Sequence, residues 1–345
     1  MQEFASSLAR PGSGPPRRRD GRGFAARCSV LVLCAMEYRR VGGSGLKVSA
    51  VGLGCNNFGM RCDAAQTQAV VQKALELGIT LFDTADIYAR GASERLLGQA
   101  LGNKRKDIVL ATKFSGPMSD SPLDRGASKR YVHRALEASL ARLGTDYIDL
   151  YQVHFPDAET PIAETLEALN EAVQQGKVRY VGCSNFAGWM LVDALWTSEQ
   201  RGLARFVSAQ NHYNLLERTI RHELLPACAA HRIGVLPYFP LASGLLTGKY
   251  RRGEAPGKDT RLGLWGERGA RLLNDDAFAK VDRFDAFAKQ RDKTLLDLAF
   301  GWLLSQREVP SVIAGATKPE QVESNVKAGE YRLGAEDMLA LAPLL

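Results

Sequence analysis

From Val48 onward the chain repeats one pattern. A short apolar run is followed by a longer stretch whose apolar positions recur at helical spacing. The short runs begin at Val48 (VSAVGLG), Ile79 (ITLFDTA), Asp107 (DIVLATKF) and Tyr147 (YIDLYQVH). Four more begin at Val178 (VRYVGCSN), Phe206 (FVSAQNHY), Ile233 (IGVLPYFP) and Pro310 (PSVIAGA). Most are continuous rather than alternating, as expected of parallel strands covered on both faces. Helices are predicted over residues 67–77, 92–101, 129–143, 162–175, 190–200, 219–231, 295–305 and 319–328. Ser128 is placed to cap the third of these. Gly78, Gly144, Gly176 and Gly202 follow helix ends, where a left-handed residue closes the last turn. Pro319 suits a first helical turn. Eight strands alternating with eight helices predict an α/β fold, a closed (β/α)8 TIM barrel rather than an open dinucleotide-binding sheet. Ahead of the first strand, YRRVGGSGLKV reads as a β-hairpin turning at residues 42–45 and plugging the barrel bottom. The polar stretch 249–275 reads as a long mobile loop, of the kind that often serves as a lid.

Composition narrows the picture. The 345 residues are 45% hydrophobic, enough for a large core, and 24% charged, an ordinary globular value. No apolar run approaches the roughly 20 residues of a membrane-spanning helix, so no membrane partner is expected. The formal charge of +7 could suggest a nucleic-acid partner. Its distribution points elsewhere: residues 1–35 hold six Arg and two acids, and the remainder is close to neutral. Six scattered cysteines (Cys28, Cys34, Cys55, Cys62, Cys183, Cys228) form no CxxC, and no Cys/His cluster has zinc spacing. The expectation is a reduced, cytoplasmic protein with no metal site. Residues 1–35, with PGSGPPRRRDGRG from Pro11, are too polar to order themselves. Met36 opens what reads as the true domain, 36–345. The first 35 residues are read as a disordered extension or a mis-assigned start, with an organelle-targeting peptide as the alternative.

In a barrel of this kind the working residues sit at the C-terminal strand ends. The second strand ends at Asp83, with Tyr88 five residues on; the third ends at Lys113 and the fourth at His154. A phenol of pKa about 10 holds its proton too tightly to be an ideal acid at neutral pH. A close ammonium is expected to lower that pKa by about 1–3. An aspartate keeps the lysine charged and oriented, and a histidine can hydrogen-bond a substrate oxygen. Singly, each residue has a plainer reading: Tyr88 as a half-buried aromatic, Asp83 as a helix cap, His154 as a core histidine. No metal is required by this set.

The runs FDTADIYARGASERLLGQAL from Phe82, ATKF from Ala111, DLYQVHFPD from Asp149 and GCSNF from Gly182 resemble the aldo-keto reductase superfamily. So do QNHYNLLER from Gln210, PYFPLASGLLTGKY from Pro237 and AGATKPEQVESNV from Ala314. The resemblance covers Met36 to about Leu333. It implies an NADPH-dependent oxidoreductase, with NADH as the lesser alternative, that reduces the carbonyl of a small aldehyde or ketone. It implies Tyr88 as general acid, Lys113 and Asp83 as its tuning pair, and His154 as the carbonyl-orienting residue. Ser184, Asn185 and Gln210 match positions that hold the nicotinamide carboxamide, and Tyr238 matches the aromatic under the ring. Pro240, Leu241, Ser243, Gly244, Leu245 and Lys249 match the segment over the pyrophosphate. Gly315, Thr317, Lys318, Gln321 and Asn325 match the adenosine end. Lys318 and Arg261 would favour NADPH by charge. The turn GLGCNNFG from Gly52 is not a G-x-G-x-x-G loop, because Asn57 fills the last glycine position. It is read as a strand-end turn bringing Cys55 and Asn56 to the nicotinamide ribose. Three residues depart from the family pattern. Phe239 stands where Ser is usual, Ser324 where Glu commonly meets adenine, and Gly315 where some branches carry a phosphate-binding Lys. Phe58, Trp189 and the 252–265 segment are candidate pocket walls. The same motifs resemble potassium-channel β subunits, so the alternative is a cofactor-sensing regulatory subunit; its oligomeric state is open in either case.

Overall fold

A computed structural model describes residues 36–345. The reading of residues 1–35 lies outside the described residues. Two strands, β1 (Tyr38–Arg40) and β2 (Lys47–Ser49), pair antiparallel with Tyr38 opposite Ser49. Eight parallel strands follow: β3 (Val51–Gly54), β4 (Leu81–Asp83), β5 (Val109–Phe114), β6 (Ile148–Val153), β7 (Val178–Ser184), β8 (Phe206–His212), β9 (Gly234–Tyr238) and β10 (Val312–Gly315). Their order is β10-β3-β4-β5-β6-β7-β8-β9, and β9 lies against β10 at the seam. The fold is therefore the expected (β/α)8 TIM barrel, nearly closed, with an N-terminal hairpin.

Around the sheet run α1 (Ala64–Glu76), α2 (Ala92–Leu101), α3 (Lys129–Leu143), α4 (Ile162–Gln174), α5 (Gly188–Arg201) and α6 (Leu224–His231). They are followed by α7 (Arg261–Leu264), α8 (Glu267–Arg271), α9 (Asp275–Lys289), α10 (Leu295–Leu304), α11 (Pro319–Ala328) and α12 (Ala335–Leu341). Helix α1 starts three residues before the apolar pattern does, because Asp63 and Gln66 form a capping box there. Ser128 does occupy the N-cap of α3, but its side chain makes no cap bond. The Lys129 N–H instead donates to Glu164 Oε1 at 2.9 Å.

Three expectations are corrected. The first strand is two: Ala50 N–H donates to Glu37 O, which leaves β2 in the hairpin and β3 in the barrel. The helix predicted over 219–231 is a single 3-10 turn (Thr219–Arg221) and then α6. Pro226 lacks an N–H and is tolerated only in a first turn, so the helix restarts just before it. The 249–275 stretch is not element-free, since it holds α7 and α8. There Leu262 is fully buried, and its N–H donates to Tyr250 Oη at 3.4 Å.

The hairpin closes the N-terminal end of the barrel as expected. Val41, Leu46 and Val48 pack with Leu81, Ala111, Leu150, Leu236 and Ile313 from the strands. Its turn lies so close to the barrel that a Cβ on Gly42, at φ +55°, would come within 2.3 Å of Arg232 O. A second, larger apolar layer fills the space between sheet and helices, with Phe82, Phe114, Tyr151, Phe206 and Trp302 fully buried in it. Burying one such large side chain is worth about 1.5–3 kcal/mol. The opposite, C-terminal end of the barrel is thereby left open for a cleft.

Candidate active site

A cleft of about 570 Å³ opens at the C-terminal ends of the strands. Its floor is built from β4, β5, β6 and β8. Lys113, fully buried at the end of β5, donates from Nζ to Asp83 Oδ2 at 2.6 Å, to Thr84 O at 2.7 Å and to Tyr88 Oη at 3.5 Å. Asp83 Oδ1 accepts from Gln210 Nε2 at 2.8 Å and from Gln152 Nε2 at 3.3 Å. Two neutral amides thus hold one carboxylate oxygen and the ammonium holds the other. His154, one residue past β6, lies edge-on to Tyr88 at 5.7 Å between ring centroids. Phe155 stacks on its other side at 4.3 Å.

The electrostatics differ from the simple expectation for the phenol. Burial pushes the Tyr88 pKa above its ordinary value; Lys113 pulls it down, but not far enough to win. The reason is that burial penalises any phenolate, while Asp83 already absorbs much of the ammonium's field. Burial also works against the charge on Lys113, yet Asp83 and then Tyr88 outweigh it and hold the ammonium above its usual range. Burial first, then Lys113, holds His154 well below the ordinary imidazole value, so the ring is neutral at pH 7. A neutral imidazole carries one N–H to offer a substrate oxygen.

To one side of this floor lie amide and aromatic groups. Asn185, in the left-handed region at φ +61°, donates from Nδ2 to His154 O at 2.9 Å and to Ser184 Oγ at 3.1 Å. Its Oδ1 accepts from Tyr238 Oη at 2.8 Å. With Gln210 Nε2 committed to Asp83, the Gln210 Oε1 is the atom left to meet a ligand. Tyr238 is backed by His212, stacked at 5.3 Å. On the far side the cleft is basic. Arg261 donates from Nη2 to Asn56 Oδ1 and Asn57 Oδ1 at 3.0 and 3.1 Å. Among the described residues no carboxylate pairs with it. Gly244, at φ +98°, lies so close to Lys249 that a Cβ would meet its Nζ at 2.5 Å. An unneutralised guanidinium, a lysine and a bare glycine backbone form a cradle suited to phosphate.

The chain matches the model of the Aldo/keto reductase family over residues 50–344. It belongs to that family. It is 37% identical over 302 residues to "Probable voltage-gated potassium channel subunit beta" of Arabidopsis thaliana, covering 85% of this chain and 91% of that one. It is 38% identical over 312 residues to "Uncharacterized oxidoreductase YrpG" of Bacillus subtilis (strain 168), covering 87% and 93%. It is 34% identical over 305 residues to "L-glyceraldehyde 3-phosphate reductase" of Escherichia coli (strain K12), covering 85% and 87%. As an aldo/keto reductase it is an oxidoreductase of carbonyl compounds.

In this aldo/keto reductase the catalytic and cofactor-site residues singled out from sequence line the cleft, except Lys113, Ser184, Leu245 and Lys318. Lys113 is part of the floor but is fully buried within it. Ser184 is buried behind Asn185, and Leu245 packs into the core. Lys318 is exposed at the N-cap of α11. Cys55 lines the wall with its thiol fully buried, and burial pushes its pKa well above the ordinary thiol value. Two proposed pocket walls do not reach the cleft. Phe58 is fully buried in the core, and Trp189 stands exposed on α5. The cleft also uses Asn57, Arg61, Ile87, Phe155 and Leu296, which sequence reasoning passed over. Phe155 was findable as the aromatic next to His154, and Asn57 as the polar residue in the strand-end turn. Phe239, the departure after Tyr238, faces Arg261, whose Cζ lies 5.3 Å from its ring centroid.

Proposed function

We propose that the protein is an NADPH-dependent reductase of small aldehydes or ketones, with Tyr88 as proton donor. The observation that carries this reading is the Tyr88 Oη–Lys113 Nζ contact of 3.5 Å at the floor of a cleft that also holds His154. The cradle of Gly244, Lys249 and Arg261 fits a dinucleotide pyrophosphate or ribose phosphate. Asn185, Gln210 and Tyr238 fit a nicotinamide and its carboxamide. A bound reduced nicotinamide would supply the hydride. His154 then orients the carbonyl oxygen with its single N–H. Tyr88 gives its hydroxyl proton to that oxygen, and the Lys113 ammonium stabilises the phenolate left behind. Asp83, fixed by Gln152 and Gln210, keeps Lys113 charged and aimed. Arg261 and Lys318 favour the 2′-phosphorylated cofactor over NADH. Residues 36–345 act as one catalytic domain.

The likeness to proteins named as potassium channel β subunits supports a second reading, a regulatory subunit that binds the cofactor and senses its state. One experiment separates the two: NADPH and NADH consumption followed at 340 nm (an ordinary nicotinamide assay) with a panel of aldehydes and dicarbonyls. Turnover that vanishes in Tyr88→Phe supports the reductase. Tight cofactor binding without turnover on any of the panel supports the sensor.

A further inference from the structure

Behind the floor, on the outer side of the barrel wall, lies a second buried polar group that the reaction above does not use. Asp86 is 1% exposed and lies two residues before Tyr88. Its Oδ1 accepts the Ile87 N–H at 2.6 Å, and its own N–H donates to Lys113 O at 3.1 Å. Its Oδ2 is buried and has no protein partner among the described residues. Helix α2 contributes Glu94, fully buried, whose two oxygens are taken by Thr112 Oγ1 and Arg142 Nε, each at 2.6 Å. The remaining groups facing Asp86 are Arg142 and Tyr131 on α3, Tyr151 on β6 and Lys113 on β5. Tyr151 Oη is also buried and unpartnered. Two carboxyl groups therefore share one guanidinium, and Glu94 holds it. Lys113 is committed to Asp83.

The segment that Asp86 anchors is the one that aims Tyr88. Tyr88 N–H donates to Ala85 O, and the next three residues, Ala89, Arg90 and Gly91, are all left-handed at φ +48°, +50° and +85°. Two of them are not glycine, so the backbone here holds a conformation that its surroundings must enforce. A Cβ on Gly91 would meet Arg142 Cδ at 2.6 Å, and one on Gly116 would meet Ile87 Cδ1 at 2.9 Å. The segment is gripped on both sides, with Asp86 as its polar peg.

We infer that Asp86 is a positioning residue for the Tyr88 hydroxyl, acting as a neutral carboxylic acid, and that reductive turnover falls when this acid loses its proton. The inference rests on Tyr88 being the proton donor. A second anion beside Glu94 would be relieved by the 86–91 segment moving toward water, which takes Tyr88 Oη away from Lys113 Nζ. Burial first, then Glu94, pushes the Asp86 pKa up to about 8; the Ile87 N–H, Arg142 and Lys113 act against this. Tyr88 and Lys113 are raised from already alkaline values, and His154 is held far below neutrality. Among these groups, Asp86 is the one that changes charge in the mildly alkaline range.

The test is a kcat–pH profile of the whole protein from pH 6 to 10, with NADPH and the fastest aldehyde of the panel. It compares wild type, Asp86→Asn, Asp86→Ala and Tyr88→Phe. Wild type is expected to lose about tenfold in kcat per pH unit above about pH 8, the slope of a single ionisation. Asp86→Asn, which keeps the shape and cannot ionise, removes that limb and stays within threefold of wild type at pH 7. Asp86→Ala, lacking the acceptor for Ile87, loses tenfold or more at every pH. A second readout needs no cofactor. The unfolding midpoint of Asp86→Asn gains on wild type between about pH 4 and 8 and is parallel to it above, because the native state alone holds the Asp86 proton in that window. An unchanged alkaline limb in Asp86→Asn, or a stability gap independent of pH, overturns the inference. If Tyr88→Phe keeps its turnover, the proton-donor reading fails and this one falls with it. If Tyr88→Phe is inactive while Asp86→Asn behaves as wild type across the range, the Asp86 inference alone fails.

Discussion

The floor of the cleft and its cover are built on different physics. On the floor, Lys113, Gln152 and Gln210 converge on Asp83 from three strands, all within 3% of full burial, at distances of 2.6–3.3 Å. Their backbones are fixed by the parallel ladder, so the side chains have almost no freedom left to lose. The cover, residues 249–275, is tied down at few points. These include Arg61 Nη2 to Asp259 O at 2.7 Å, the Arg261 bonds to Asn56 and Asn57, and the buried Leu262. The ion pairs on and beside it, such as Arg252 with Asp275 and Asp282, stand in solvent. In the proposed reaction the pre-organised floor would set the chemical step, and the lightly tethered cover would set what is held above it.

The largest effect should come from Tyr88→Phe. A kcat/KM loss of about 10²–10⁴-fold is expected from removing the proton donor. NADPH affinity, measured by titration calorimetry, should change by less than about twofold. A comparable loss of affinity would erase the division between floor and cover. Next comes Lys113→Met, which leaves the Asp83 carboxylate buried without its ammonium. Breaking a buried pair in this way costs about 3–5 kcal/mol, readable in denaturant unfolding at pH 7. A destabilisation near zero would mean that the two glutamines alone suffice for Asp83. Arg261→Ala should weaken NADPH binding about tenfold, about 1.4 kcal/mol, with NADH binding less affected and kcat little changed. An equal loss for both cofactors would remove the argument for 2′-phosphate recognition. Smallest is Arg252→Ala. Its ion pairs are exposed, and a change within about 1 kcal/mol in stability is expected, shrinking further in high salt.

Much of the floor was legible before any coordinates. Asp83, Lys113 and His154 mark the ends of apolar runs, and the barrel rule sends such residues to one rim. Tyr88 follows Asp83 by five residues, and the motif resemblance added Asn185, Gln210 and Tyr238. Gln152 was not legible. It sits inside a continuous strand, where a polar residue carries no outward sign that it meets Asp83 across the barrel. Asp86 was equally silent, since FDTAD shows two aspartates and nothing in the string tells which faces Lys113 and which faces Glu94. The lowered Tyr88 pKa expected from the adjacent ammonium is overturned for the same reason. Sequence names the nearby ammonium, but the burial that outweighs it is a property of the assembled cleft. Phe58 and Trp189 failed as pocket walls because an aromatic in a loop or on a helix face has no readable orientation until its neighbours are placed.

Local chemistry was enough to specify the eight strand–helix units, their order and most of their ends. Apolar periodicity, caps and glycine stops act within a few residues, and parallel strands joined by helices have few ways to close. The break at Ala50 and the charge states of Tyr88, His154 and Asp86 were decided by contacts between residues far apart in the chain. Burial and field depend on every group that arrives at a point, and only the folded barrel brings those groups together.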